Sequence, residues 1–391
     1  MRNKILFVEQ TADGTIGGSH YCLLYLIQHL NKMQFEPIAL FYESHSLIDT
    51  FKKECRTEIF HVKPFSKLRI SVIRKVINLL INFFIVFKCL VYIKKNRIKI
   101  VHLNNSVSGG YFNWLVACAL ANIPCVTHER NFTNYPRTLF FRFMVKKYKK
   151  ILPVSDVIAI NIKRQGIAPE IVETVHDGIS PDVFRNKIKK TAENIRVEFN
   201  IPSNFTIIGL IGNIRRWKGQ ELLIDALNLV NEEMSDFYCL LVGDTGKNSS
   251  TDTEFEKHLL NKITTHGLEH KVILTGYRND IPDIINALDI QINASIKPDP
   301  FPHVILEGMS SGKPIIATNL GGAVESIEHG VSGFLVPPES EQIAEKILVL
   351  IKNSSIRKSI SKNALLRVNK FTMVRTIEKI EKIYKGLLNQ Q

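Results

Sequence analysis

The chain has 391 residues, 45% of them hydrophobic, more than one core ordinarily organises and well suited to two domains of common size. No low-complexity tract or short-period repeat occurs, which argues against a disordered, fibrous or solenoid protein. The net charge of +14 is unevenly placed: residues 1–190 hold 29 basic against 13 acidic side chains, and residues 191–391 hold 22 against 24. The excess points the first half towards an anionic surface, either nucleic acid or the negative face of a membrane, with a merely solvated basic face as the plainer reading.

The N-terminus, Arg2 to Val8, reads as a short apolar strand running into a glycine loop, without the leader, long apolar core and cleavage site of a secretion signal. Five apolar, β-rich runs (Ile5 to Val8, Ile38 to Tyr42, Ile98 to Leu103, Cys125 to His128, Ile151 to Val154) alternate with segments of helical period such as Tyr21 to Leu30 and Gly110 to Ala121. That alternation predicts parallel βαβ units. Within it, Ile70 to Ile93 is nearly continuous apolar sequence with cations at both ends. Asn78, Asn82 and Lys88 interrupt it, so a buried or interfacial helix is expected ahead of a spanning one. Arg137 to Lys150 interleaves aromatics with six cations and no acid. Such a pattern can bind nucleic acid, and its helical spacing with one apolar face suits an interfacial helix on a membrane equally well, with a solvated face as the plainer reading.

The pattern lapses in the polar, lysine-rich stretch from Asp182 to Glu198 and restarts at Phe205 to Ile211. We therefore expect domains at 1–190 and 191–391, with a C-terminal helix of about 373–391 packing back on the first. Strands in the second domain are expected at Phe237 to Val242, Val272 to Leu274, Ile290 to Asn293 and Ile315 to Thr318. The fold class is α/β, two Rossmann-like doubly wound parallel sheets facing across a cleft, and ligands bind such sheets beyond the carboxyl ends of their strands. The six cysteines (Cys22, Cys55, Cys89, Cys118, Cys125, Cys239) form no C-x-x-C pair and sit mostly in apolar runs, so a reducing compartment is expected.

Three stretches carry chemistry. Asp13-Gly14-Thr15-Ile16-Gly17-Gly18-Ser19 follows the first strand and opens a helix, where glycines let backbone N–H groups approach a phosphate; a tight turn without ligand is equally common. Gly212-Asn213-Ile214-Arg215-Arg216-Trp217-Lys218-Gly219 puts three cations on one strand-to-helix loop, suited to neutralise the charge that grows on a departing diphosphate, with a solvated basic turn as the equal alternative for the loop taken alone. Asp299-Pro300-Phe301-Pro302-His303-Val304-Ile305-Leu306-Glu307-Gly308 sets two carboxylates eight positions apart, before and inside a predicted helix, so that one can face a sugar and the other a ribose. Gly312-Lys313-Pro314 and Gly321-Gly322 follow.

With these residues the chain resembles glycosyltransferase family 4, the retaining group 1 enzymes of GT-B architecture, over nearly its whole length. The family's E-x7-E pair ahead of a small-x-G-x-P turn is matched by Asp299, Glu307 and the turn to Pro314. Its G-R-x-x-x-x-K-G loop is matched by Gly212 to Gly219, its Gly-Gly loop by Gly17 and Gly18, and its N-G-I-D turn by Asp177 to Ser180. The resemblance implies that Glu307 holds the ribose, that Asp299 contacts the donor sugar, and that Lys218, Gly17 and Gly18 bind the donor diphosphate. Asp stands where the family has Glu, and Asn213 where it has Arg, so Arg216 (or Arg215) is expected to stand in.

A histidine often closes the fifth strand in this family, which makes His128 the catalytic candidate, with Glu129 and Arg130 on the acceptor side. The reaction implied is sugar transfer with retention from a nucleotide-diphosphate sugar, UDP or GDP, to a glycan acceptor, often lipid-linked, in surface polysaccharide or glycolipid synthesis. The expected enzyme is a metal-independent hexosyltransferase with no cofactor and no nucleic-acid partner, cytoplasmic and peripheral to the inner face of the cell membrane. A GT-B-like sugar-nucleotide epimerase, a phosphorylase and a non-catalytic binding protein are the alternatives.

Overall fold

The computed structural model describes residues 2–10, 16–61, 71–108, 112–246 and 250–390, with backbone only at 71–77, 79, 250 and 251. Asp13 to Thr15 of the first glycine loop, Ile70 and Gly110 lie outside the described residues.

In chain order the first elements are β1 (Asn3–Glu9), α1 (Gly18–His29), β2 (Phe35–Phe41), α2 (Ile48–Glu54), β3 (Arg56–Ile59), α3 (Ser71–Asn96), β4 (Ile100–Leu103), α4 (Phe112–Ala121), β5 (Cys125–Glu129), α5 (Leu139–Val145), β6 (Lys150–Pro153) and α6 (Asp156–Arg164). After α7 (Pro181–Arg185) and α8 (Ala192–Glu198) come β7 (Thr206–Ile211), α9 (Gln220–Glu233), β8 (Phe237–Val242), α10 (Ser250–Thr265), β9 (Val272–Gly276), α11 (Ile281–Ala287) and β10 (Ile290–Asn293). The chain closes with α12 (His303–Ser310), β11 (Ile315–Thr318), α13 (Ala323–Ser326), β12 (Phe334–Val336), α14 (Ser340–Lys352), α15 (Ser354–Arg367) and α16 (Met373–Leu388). It divides into two compact units: Met1–Asp177 with Met373–Gln391, and Gly178–Thr372.

Each unit holds a six-stranded sheet, in the orders β3-β2-β1-β4-β5-β6 and β12-β11-β10-β7-β8-β9, and every pairing between these strands is parallel. Strands covered on both faces need apolar side chains in both directions, which is why TIIGLI, FYCLLV and IIAT read as runs and not as alternations. In unit 1 the core joins Phe7, Leu23, Phe35, Val126 and Leu152 to Ile380 and Tyr384 of α16. The α16 helix thus closes a sheet begun more than 300 residues earlier. Right-handed crossovers put α3, α4 and α5 together on the other face, where α3 packs on α4 and α4 on α5. In unit 2 one face carries Ile208, Leu223, Phe237, Phe255 and Ile347, and the other packs Ile195 of α8 and Ile284 of α11 on Ile207 and Leu240.

The unit boundary falls at Asp177/Gly178 and not at residue 190. The lysine-rich stretch is not a linker: Asp283 accepts the backbone N–H groups of Lys189 (2.5 Å) and Lys190 (2.9 Å), and Arg185 donates to the Ser310 carbonyl at 2.9 Å. Lysine side chains reach solvent while their backbone is tied down, so composition alone mistakes the segment for a connection. Two strands escaped the sequence reading, β3 and β12, and both are outermost in their sheets. An edge strand is covered on fewer sides, so the sequence RTEI carries no apolar run.

Candidate active site

In each sheet the strand order reverses beside the first strand, between β1 and β4 in unit 1 and between β7 and β10 in unit 2. Loops leaving the carboxyl ends there diverge and open a crevice. Arg216, Lys218 and Asp299 lie on the two diverging loops, and Glu307 on the helix that follows the second.

After β7 the chain turns through Gly212 into a short 3-10 turn, Arg216–Lys218, and enters α9 at Gly219. Gly219 has φ +76°, and a Cβ there would come within 1.8 Å of the Ala294 carbonyl oxygen. Only glycine allows this loop to lie against the one leaving β10. That closeness lets Lys218 Nζ reach Asp299 Oδ2 at 2.7 Å, and Ile296 N–H donates to the Trp217 carbonyl at 2.8 Å. Asp299 is in turn seated by Gly321, whose φ is +60° and whose Cβ, if present, would meet the Asp299 carbonyl oxygen at 2.1 Å. The Asp299 carbonyl accepts Gly322 N–H at 2.8 Å. The lysine-glycine loop, Asp299 and the Gly-Gly turn, separate in sequence, are therefore one constellation.

Glu307 lies on α12, half-buried, and its carboxylate has no hydrogen-bond or ion-pair partner among the described residues. Burial pushes its carboxyl above its ordinary value, with His303 and Lys187 pulling the other way. A desolvated carboxylate with unused lone pairs is suited to accept from vicinal hydroxyls. Arg216 is exposed, its guanidinium over the Phe255 ring at 4.9 Å, and Arg215 leans towards Asp252 at 4.0 Å. Both cations remain on the loop, beside the exposed Asn213.

In unit 1, Gly17 caps α1 with extended backbone, and its N–H donates to His20 Nδ1 at 3.3 Å. A Cβ on Gly17 or Gly18 would meet nothing within 4 Å. Among the described residues, packing does not demand glycine at either position. Across the reversal, Asn104 donates to Glu9 Oε2 at 2.6 Å and to the Ser19 carbonyl at 3.0 Å, tying β4 to β1 and α1. Its buried Oδ1 has no partner.

His128 closes β5, fully buried, with Nδ1 at 2.7 Å from His102 Nε2. Its own Nε2 is buried without a partner. Desolvation holds His128 well below an ordinary imidazole, and the nearby Arg130 and His102 add to this. Glu129 has another task than meeting an acceptor. Its carboxylate takes Val107 N–H (2.9 Å), Tyr135 O–H (2.6 Å), Asn131 N–H (3.2 Å), and the hydroxyls of Ser106 and Thr133 (3.4 Å each). A carboxylate saturated by its own loops organises them and has little left to offer a ligand. Arg130, also given to the acceptor side by the sequence reading, donates to the Asn104 carbonyl at 3.1 Å and forms a buried ion pair with Asp177. It pins the end of unit 1's main segment.

Sequence reasoning missed Glu9, His102, Asn104 and Tyr384. The first three carried a signal, polar residues at the carboxyl ends of otherwise apolar strands. Tyr384 carried none, because a tyrosine in an amphipathic helix reads as core.

A cavity of about 1090 Å³ opens at the other edge of the unit 1 sheet, at the amino ends of its strands, against Arg2, Lys4, Arg97, Lys99, Lys146 and Lys149. It is remote from the carboxyl ends and belongs to no part of the site above. All six cysteines are unbridged.

Two family models match the chain: Glycosyltransferase Family 4 over residues 16–183 and Glycosyl transferases group 1 over residues 191–367. An Escherichia coli UDP-Gal:alpha-D-GlcNAc-diphosphoundecaprenol alpha-1,3-galactosyltransferase is 24% identical over 308 residues, 75% of this chain and 76% of that enzyme. The Staphylococcus aureus capsular polysaccharide biosynthesis glycosyltransferase CapM is 26% identical over 61% of this chain and 62% of its own. Among solved structures, a glycosyltransferase from Rickettsia africae superposes with a TM-score of 0.87 at 25% identity, covering all of both chains. Anabaena HepE in complex with UDP superposes with a TM-score of 0.81 at 23% identity, over 98% of this chain and 100% of HepE. With two parallel sheets of this order and one matching model on each half, the chain belongs to the group 1, family 4 glycosyltransferases.

Proposed function

We propose that this glycosyltransferase moves a hexosyl group, with retention, from a UDP-sugar to a lipid-diphosphate-linked glycan during surface polysaccharide assembly. The observation that carries the donor half is the Lys218–Asp299 pair, with the unpartnered Glu307 on the helix that follows Asp299 in the chain. Lys218 exchanges Asp299 for the donor diphosphate and neutralises the charge that develops as the glycosidic bond breaks. Asp299, released from the lysine, accepts from sugar hydroxyls, and Glu307 accepts from the ribose. Arg216 supplies a second cation, so the loop does the electrostatic work that a metal ion does in other sugar transferases. The α1 N-terminus at Gly17 and Gly18, within unit 1, offers backbone donors to a phosphate. Departure and attack on one face of the sugar give retention, with a phosphate oxygen taking the acceptor proton.

The choice of UDP and of a lipid-linked acceptor is supported by the E. coli galactosyltransferase and by UDP in HepE. Membrane contact is supported by unit 1 itself. No helix among the described residues is long and apolar enough to cross a membrane. Yet α3 exposes Leu80, Phe83, Phe84, Phe87 and Val91, and α5 exposes Leu139, Phe140 and Phe143, all in one helical layer. Aromatic side chains on one layer and cations at the strand ends match the apolar and anionic parts of a lipid surface. The test is to incubate the purified protein with UDP-, GDP- and ADP-sugars and an N-acetylhexosaminyl-diphosphate-lipid acceptor, scoring nucleotide release and product anomer. A UDP-sugar-dependent α-linked product is expected. Release without a glycosylated product, or a β-linked product from an α-linked donor, overturns the proposal.

A further inference from the structure

The His128 imidazole is the end of a buried chain of three side chains contributed by β4, β5 and α16. The Tyr384 hydroxyl bonds to His102 Nδ1, and His102 Nε2 lies 2.7 Å from His128 Nδ1. The two rings are nearly coplanar, 17° apart with centroids at 4.7 Å, the edge-to-edge arrangement that an N–H···N bond between imidazoles requires. All three residues are fully buried.

Counting protons along this chain leaves one arrangement. Tyr384 has one hydroxyl proton and one partner, His102 Nδ1. Were Nδ1 also protonated, the phenol would have to turn its proton towards no acceptor in a buried site, the outcome folded proteins avoid. The phenol therefore donates, His102 carries its proton on Nε2 and donates in turn to His128 Nδ1, and the single proton of neutral His128 falls on Nε2. Of the three side chains' polar atoms, that nitrogen is the one buried without a partner among the described residues.

We propose that Tyr384 and His102 act as positioning residues that lock His128 as a neutral Nε2–H donor, held for an oxygen of the bound donor sugar. His128 then works as a fixed hydrogen-bond donor and not as a general base, because a base would need Nε2 unprotonated. The same accounting gives α16 a role beyond packing, since the last segment of the chain sets the proton on a strand-end residue of β5. The proposal rests on the reading of His128 as the unit 1 residue that meets the sugar. Burial, which holds His102 down to about 3 and His128 well below its ordinary value, keeps both rings neutral throughout the physiological range.

Long-range proton–nitrogen correlation spectra of the full-length protein, labelled with heavy nitrogen at its histidines, report each ring's tautomer and charge directly. Spectra of His102→Gln and His128→Ala assign the two rings among the 12 histidines. Both rings are expected as Nε2–H tautomers that do not titrate between about pH 5.5 and 8.5. A proton on Nδ1 of either ring, or a titration in that range, overturns the relay.

In turnover, Tyr384→Phe keeps the ring and removes the first donor. It is expected to lower kcat about tenfold with donor KM little changed, and to leave His128 with mixed tautomers. His102→Gln still offers an acceptor to Tyr384 and a donor to His128, and should be about tenfold more active than His102→Leu. Equal activity of these two variants, or of Tyr384→Phe and the parent, counts against the relay. Full activity of His128→Ala alongside the expected tautomers in the parent protein would instead overturn the catalytic reading and leave the relay standing.

Discussion

At the scale of single residues, the Lys218–Asp299 ion pair makes the two partners' variants behave differently. Lys218→Ala removes the cation that meets the departing diphosphate, and a loss of about 100- to 1000-fold in kcat is expected in nucleotide-release assays. Asp299→Asn removes Lys218's competing anion together with the carboxylate proposed to meet the sugar. Titration calorimetry with UDP should show binding tightened about tenfold, by the worth of one charge-assisted hydrogen bond of about 1.5 kcal/mol, while kcat falls. Weaker UDP binding by Asp299→Asn would mean the pair supports the loop and does not compete with the donor.

Glu307 invites a stability test whose sign follows from its environment. Burial raises its carboxyl above 4.5, so the folded chain holds that proton more tightly than the unfolded chain. Stability then falls as pH rises through the interval between the two values. Glu307→Gln should unfold at a higher temperature than the parent at pH 7, and the difference should close in acid, while donor affinity drops about tenfold or more with the lost ribose contacts.

At the scale of elements, α16 is the piece whose removal the fold should tolerate least. Ile380 and Tyr384 are fully buried, and Met373, Ile377, Ile383 and Leu387 nearly so, in the core that also holds Phe35 and Leu23. Asn31 N–H donates to Glu381 Oε1 at 2.8 Å. Ile380→Ala leaves a cavity in that core and should cost about 2–5 kcal/mol in urea unfolding of unit 1. The exposed face of α3 is expected to behave in the opposite way. Phe83, Phe84 and Phe87 are 74%, 68% and 55% exposed, so serine at all three should leave the melting temperature within a degree or two. Sedimentation with vesicles containing anionic phospholipid should lose most of its pelleted fraction in that variant. Equal pelleting of variant and parent would exclude this face as the lipid contact.

At the scale of the whole molecule, the charge of +14 is concentrated before residue 191. Pelleting with anionic vesicles should therefore weaken as salt rises past the point where the screening length falls below about 10 Å, and it should be slight with neutral vesicles. The buried histidines set an acid limit for the fold. His102 titrates near 3 when folded and near 6.5 when unfolded, so between those values the unfolded chain takes up protons that the folded chain refuses. Stability rises with pH across that window, and the urea midpoint should fall between pH 7 and pH 5, less steeply in His102→Gln.

The sequence by itself determined the two parallel sheets, because strands covered on both faces must be apolar throughout and their helices must follow the 3.6 period. It also pointed to Lys218, Asp299 and Glu307, since loops after buried strands are where charged residues stand out. Tertiary structure alone decided the rest. That Lys218 meets Asp299 depends on Gly219 and Gly321 letting two backbones touch, a distance no local pattern encodes. That Glu129 is saturated by its own loops, and that Tyr384 governs the proton of His128, depend on partners brought together by sheet order and by a helix that returns from the far end of the chain. Strand β3 escaped the reading because its half-covered side chains, RTEI, are polar, and β12 because three residues make too short a run to stand out. Exposed or half-covered backbone is held by hydrogen bonds that leave the side chains free to be polar, and side-chain pattern is all that a sequence displays.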